Sequence, residues 1–416
     1  MEYLEIVGGN PLCGEACIQG SKNAALPILS AVILHRGTTV LKNCPKIIDV
    51  LYMLEILKGF GCHVSWEGDT LAIDASDLED CQVAECYGCK MRSSIMLLGS
   101  LLGRMGNAYV SYPGGCVIGE RPIDMHLAAL KKLGAVLLEE AAGLRAVCEK
   151  PAGAVVSLPF PSVGATENVI LLAAVAEGVT ILENAAREPE IGELCRFLNS
   201  MGARIRGAGT SRIEIVGVKE LHDTEFTIMP DRIVAGTYMF MAAAAGGEIL
   251  LREVPLEQLE SVRTVLSHMG VRQEERENTL RLWSTGRPCA VKDIRTSPYP
   301  GFPTDLQSPL LAALSVADGC SIIQETIFEA RFKIVEELRR MGADIKVEGQ
   351  KAAVRGVPKL SGTDLTAREL RGGAALVLAA AAGEGRSRIF QYHYIARGYE
   401  NIIRDLQSLG IVVHFR

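Results

Sequence analysis

Six glycines, Gly61, Gly134, Gly202, Gly270, Gly342 and Gly410, stand 68 to 73 residues apart along the 416-residue chain. Each follows an amphipathic helical stretch and precedes a β-like run, so the chain is tiled by six copies of one unit. In Met125 to Leu133 and Lys333 to Met341, Leu and Met recur at three- and four-residue intervals, which places them on one helix face.

Every unit also holds an earlier stretch that is apolar almost all round: 24–34, 93–102, 166–176, 233–245, 306–316 and 373–382. Helices of that kind have no face to give to water and belong inside a core. β-like segments such as Thr38 to Leu41 and Val179 to Leu182 follow them, so the unit reads β-α-β-α-β-β. Residues are 48% apolar but only 5% aromatic, a composition that packs Ala, Leu, Val and Ile into layers. The expected fold is α/β and two-lobed, an inside-out barrel with three units per lobe whose inner helices are enclosed by outer helices and sheets. The fourth unit starts near Met229, and the strand-like Tyr3 to Val7 precedes the first helix where a cyclic arrangement would exchange. One lobe is therefore expected over 1–20 plus 230–416, and a second, carrying the Cys116 loop, over 21–229. A cleft between two hinged lobes is the default ligand site.

Net charge is −6 and the basic residues are scattered, which excludes a counterion-driven nucleic-acid surface. No charged-then-apolar leader and no apolar run near the ~18 residues of a membrane span is found, so the expectation is a soluble, cytoplasmic protein. Twelve cysteines without a secretory signal read as reduced thiols. Cys86 and Cys89, with Cys81 nearby, have metal or redox spacing, but no second pair and no neighbouring histidine completes a site.

Cys116 differs from the rest. It lies in Tyr112-Pro113-Gly114-Gly115-Cys116-Val117-Ile118-Gly119-Glu120-Arg121-Pro122, a glycine hinge with no apolar pocket to fill. Such a segment can close over a ligand, and its arginine can tune the sulfur or hold an anion. The starts of the apolar helices carry cations: Lys22 beside Ser21 and Asn23, Arg92 before Ser93, and Arg371 after Glu369. Ser, Thr, Asp and Asn there are ordinary caps. The cations oppose the helix dipole, which points to a ligand with several negative charges.

Gly20-Ser21-Lys22-Asn23-Ala24-Ala25-Leu26-Pro27, Pro113-Gly114-Gly115-Cys116 with Arg121-Pro122-Ile123-Asp124-Met125-His126, Ser162-Val163-Gly164-Ala165-Thr166, Glu183-Asn184-Ala185-Ala186-Arg187-Glu188-Pro189-Glu190, Phe302-Pro303-Thr304-Asp305 and Arg397-Gly398-Tyr399-Glu400 together resemble the UDP-N-acetylglucosamine 1-carboxyvinyltransferase family of enolpyruvyl transferases. The resemblance runs from end to end and implies transfer of the enolpyruvyl group of phosphoenolpyruvate to the 3′-hydroxyl of UDP-N-acetylglucosamine. It further implies that Lys22, Arg121 and Arg397, with Asn23, Arg92 and Arg371 nearby, hold phosphoenolpyruvate. Cys116 becomes the proton donor to the methylene carbon, the site of adduct formation and the target of fosfomycin, and Asp305 the base for the sugar hydroxyl. The nucleotide sugar is expected along Asn23, Arg92, Arg121, Pro122, Ile123, Asp124, Met125, Pro161, Ser162, Val163, Asp305 and Ile327. No metal or organic cofactor is implied.

Three positions depart from the family pattern: Glu369 where Asp is common, Ala396 where an acid is expected, and Phe160-Pro161 in place of a basic pair. Glu369 and Ala396 motivate one competing reading, a non-catalytic nucleotide-sugar-binding regulator; the other is the shikimate-pathway enolpyruvyl transferase, which shares the six-unit architecture and the phosphoenolpyruvate chemistry but lacks this cysteine loop.

Overall fold

The structure is a computed structural model that describes every residue except 1, 84, 89, 113–117, 120 and 121. All six repeat glycines adopt positive φ, between 83° and 102°. Each follows an outer helix and ends it in the same way. At the first, Gly61 N–H donates to the Lys58 carbonyl at 3.0 Å and Cys62 N–H to Leu57 at 3.0 Å. The same pair of bonds recurs at Gly134, Gly202, Gly270, Gly342 and Gly410. This is the Schellman motif, which satisfies the last helical carbonyls and needs a residue without a β-carbon at the left-handed position. The sequence period is thus a period of helix stops.

The chain divides into two compact units with three four-stranded sheets each. One comprises Met1–Gln19 and Pro230–Arg416 together with Ile118 and Gly119; the other is the remaining described chain between Gly20 and Met229. Gly20 therefore belongs to the second unit rather than the first. Ile118 and Gly119, expected with 21–229, belong instead with 230–416, where the Ile118 carbonyl accepts from Ala330 N–H at 3.0 Å.

Every sheet has one plan. The strand before an inner helix pairs parallel with the strand after it, as Val155–Ser157 does with Val179–Glu183. A hairpin then returns antiparallel, Arg212–Val216 on Val179–Glu183 and Arg204–Arg206 outside it. Two strands are exchanged: Leu12–Cys17 lies parallel to Gly247–Arg252, and Thr224–Thr227 parallel to Thr38–Lys42. Tyr3–Gly8 fills the sixth sheet between Gly385–Phe390 and Val412–Phe415, so the N-terminal strand returns to the C-terminal repeats as the repeat pattern required.

Inner helices form the core of each unit. Arg232–Ala245, Gln307–Leu314 and Leu370–Ala382 touch one another in the first unit. In the second, Leu97–Met105 touches both Lys22–Ala31 and Val163–Ala173. Glycine sets how closely they approach: a β-carbon at position 99 would lie 2.6 Å from the Asn168 carbonyl. Two inner helices begin as 3-10 turns, Arg92–Met96 and Thr304–Leu306, rather than as the continuous α-helices expected. Among the described residues no helix is long and apolar enough to cross a membrane.

Candidate active site

In the second unit, Ser21 caps the first inner helix, its Oγ accepting from Ala24 N–H at 3.3 Å. Lys22 is the first helical residue, and its Nζ lies 2.6 Å from Oδ2 of Asp49, a buried carboxylate at the start of the outer helix Ile48–Gly59. The protein itself therefore supplies a counter-charge to a cation that the helix dipole disfavours. Asn23 is half-buried beside Lys22, and Arg92 is half-buried at the first position of its 3-10 turn.

The segments expected to meet the nucleotide flank two other helix starts. Pro122 and Asp124 are exposed, and Ile123 and Met125 half-buried, where helix Asp124–Lys132 begins. Pro161, Ser162 and Val163 are half-buried, and Ser162 Oγ accepts from Ala165 N–H at 3.4 Å to cap Val163–Ala173. Behind them Glu167 is buried. Burial first, then the charges of Glu190 and Glu188, push its carboxyl well above the usual range.

The first unit holds a cluster of four charged side chains, Asp305, Arg331, Arg371 and Glu369. Asp305 sits in the 3-10 turn Thr304–Leu306, with Oδ1 2.6 Å from Arg331 Nη2 and Oδ2 2.8 Å from Arg371 Nη2. Both guanidiniums are buried, whereas the Asp305 side chain retains 27% exposure. A carboxylate with an arginine on each oxygen has a fixed orientation. For Arg371, burial opposes its charge, but Asp305, Asp231 and Tyr399 outweigh burial and raise its basicity. Tyr399 is itself pushed up to about 12 by burial, against the pull of Arg371 and of the hydrogen bond to Thr237.

Glu369 caps helix Leu370–Ala382. Its Oε2 accepts from Arg371 N–H at 2.8 Å, its Oε1 from Gly372 N–H, and Arg331 Nη1 lies 3.7 Å away. The longer arm at this position reaches the cap, so the departure from Asp leaves the helix start satisfied. Arg397 is half-buried on a turn that Gln19 pins: Gln19 Nε2 donates to the Gly398 carbonyl at 3.1 Å, and its Oε1 accepts from Glu400 N–H at 2.7 Å. Ile327 is half-buried. Its N–H donates to Oε1 of Glu325 at 2.8 Å; Glu325 is fully buried and also accepts from Phe328 N–H, Thr296 and Thr304.

Of the expected residues, Asp305 and Arg371 are in direct contact, and Arg397 belongs to the same unit. Lys22, Asn23, Arg92, Pro122 to Met125 and Pro161 to Val163 belong to the other unit. Cys116, Arg121 and Cys89 lie outside the described residues. Sequence reasoning missed Asp49, Arg331, Glu325 and Gln19. None lies at the start of an inner helix or within the motifs that carried the resemblance, the two signals that had been read. Cys81 and Cys86 are free thiols. Among the described residues no group of three His, Cys, Asp or Glu side chains is placed to hold a metal.

Six matching four-stranded sheets in two units define a repeat-built α/β protein, and comparison with known proteins gives its family. The family model for EPSP synthase (3-phosphoshikimate 1-carboxyvinyltransferase) matches residues 6–406. A UDP-N-acetylglucosamine 1-carboxyvinyltransferase 2 of Caldanaerobacter subterraneus subsp. tengcongensis is 49% identical over 99% of this chain and 98% of its own. A UDP-N-acetylglucosamine 1-carboxyvinyltransferase 1 of Symbiobacterium thermophilum is 47% identical over 99% and 95%. Among solved structures, the enolpyruvyl transferase NikO from Streptomyces tendae superposes with a TM-score of 0.90 at 25% identity over 100% and 98% of the two chains. EPSP synthase of Acinetobacter baumannii, 16% identical with a TM-score of 0.74 over all of both chains, shares the fold. The chain belongs to the EPSP synthase family and, within it, to the UDP-N-acetylglucosamine 1-carboxyvinyltransferases.

Proposed function

We propose that this protein transfers the enolpyruvyl group of phosphoenolpyruvate to the 3′-hydroxyl of UDP-N-acetylglucosamine in the cytoplasm, releasing phosphate, the first committed step of peptidoglycan precursor synthesis. The carrying observation is the Asp305 carboxylate, oriented by buried Arg331 and Arg371, in a chain 49% identical to an enzyme named for that reaction. Lys22, Arg121 and Arg397 hold the phosphate and carboxylate of phosphoenolpyruvate, with Arg371 behind Asp305. A proton from Cys116 goes to the methylene carbon, the sugar oxygen bonds to the neighbouring carbon, and Asp305 accepts the hydroxyl proton. Loss of phosphate and of a methyl proton from the tetrahedral adduct restores the double bond. Water must be kept from that adduct while it lasts.

Phosphate release separates the readings. It is expected with phosphoenolpyruvate and UDP-N-acetylglucosamine together, and with neither alone. Binding of both without phosphate release makes the protein a regulator, and release with 3-phosphoshikimate instead makes it the shikimate-pathway enzyme. Fosfomycin should alkylate Cys116, and Cys116→Ser should abolish the modification, read by mass spectrometry. Cys62 and Cys195, pushed up by burial to about 11 and about 12, carry too little thiolate to compete.

A further inference from the structure

We infer that His126 is a positioning residue for the nucleotide end of the acceptor, held by Asn168 as a neutral imidazole with its proton on Nε2. The inference rests on the nucleotide-sugar reading above. Asn168 is fully buried in the inner helix Val163–Ala173. Its Oδ1 accepts from Gly99 N–H at 2.8 Å, and its Nδ2 donates to the Ile95 carbonyl at 3.1 Å. A backbone N–H can only donate and a backbone carbonyl only accept, so the orientation of the amide is settled at both ends. The same Nδ2 lies 2.8 Å from His126 Nδ1. Its second hydrogen points at that nitrogen, which must offer a lone pair; a proton on Nδ1 would set N–H against N–H.

The opposite edge of the ring meets Gly164. A β-carbon there would come within 2.8 Å of Cε1 and 3.2 Å of Nε2. Position 164 thus admits the imidazole because it carries no side chain. His126 directly follows Ile123 to Met125, and Gly164 directly follows Pro161 to Val163, the two stretches assigned to the nucleotide. The ring is the spacer between them, and Asn168 braces it from the core against Ile95 and Gly99.

The test uses the full-length protein with isotope-labelled histidine. The nitrogen resonances lost in His126→Gln should show, in the wild type near neutral pH, an unprotonated Nδ1 and a protonated Nε2; a protonated Nδ1 overturns the inference. Asn168→Asp replaces the donor by an acceptor and calls a proton onto Nδ1. Its Kd for UDP should rise at least about tenfold, while KM for phosphoenolpyruvate changes by less than about twofold. An unchanged Kd for UDP in the folded variant, or an equal rise in both constants, overturns the inference. Should that variant not fold, Gly164→Ala crowds the ring without touching Asn168 and carries the same expectation. Wild-type protein that binds no UDP overturns both this inference and the nucleotide-sugar reading, whereas bound UDP without phosphate release overturns only the enzymatic one.

Discussion

Asp305 shows how a single carboxylate is made directional. Its two oxygens are each taken by a buried guanidinium, so removing the charge does more than remove a base. Asp305→Asn would turn an N–H toward one arginine and leave two buried cations short of an anion, a loss of about 3–5 kcal/mol for a broken buried pair. Phosphate release should fall by about 10²–10⁴-fold, the usual contribution of a positioned acid or base. Steady-state assays at saturating substrates, with circular dichroism to confirm folding, check both effects. Glu167 makes a second prediction. Burial favours its neutral form, so its folded carboxyl titrates above its unfolded one. The stability it contributes is complete below the ordinary carboxylate range and is lost as pH rises through the raised value. Glu167→Gln keeps the shape without the charge, so the variant should gain stability over the wild type as pH increases, seen as a widening gap between unfolding midpoints from acid to alkaline buffer. Neither effect was legible in the chain: the Asp305 partners Arg331 and Arg371 are 26 and 66 residues away, and no local pattern marks a pairing at that range.

Helix ends are the elements most openly written in the sequence. The six glycines were visible as a period, and each proves to be a left-handed stop after an outer helix. Gly342 isolates the backbone effect, because a β-carbon there would meet nothing within 4 Å. Gly342→Ala should therefore cost only the left-handed conformation, about 1–2 kcal/mol, measured as a shift in the urea midpoint at unchanged slope. Starts of the inner helices were half legible. Ser21, Ser162 and Asp231 serve as the polar caps their residue types suggested. The cations at those starts suggested a ligand but did not disclose Asp49, since nothing in the outer helix distinguishes a carboxylate that turns inward from one that faces water. The two 3-10 entries were likewise not readable, because apolar spacing cannot separate the first turn of a 3-10 helix from that of an α-helix.

The N-terminal strand ties the ends of the molecule together. Tyr3–Gly8 is an interior strand of the sixth sheet, bonded on both edges, and its Glu5 carboxylate, 3% exposed, lies within 3.9 Å of Arg386, Arg388 and Arg416. Deleting residues 2–9 would open two strand edges and strand three arginines. Limited proteolysis of that deletion variant should degrade 230–416 while 20–229 resists, because the second unit has three sheets and a core of its own.

Local physics, acting over a few residues and repeated six times, was enough to specify the order of helices and strands, the helix stops and the α/β class, and to nominate Cys116, Lys22, Asp305 and Arg397 through motif resemblance. Side-chain alliances across the fold, Lys22 with Asp49, Asp305 with Arg331 and Arg371, and His126 with Asn168, were settled by packing alone. Burial strips these groups of water, and each must then find its charge or hydrogen-bond partner wherever the folded chain brings one, at separations on which a one-dimensional pattern is silent.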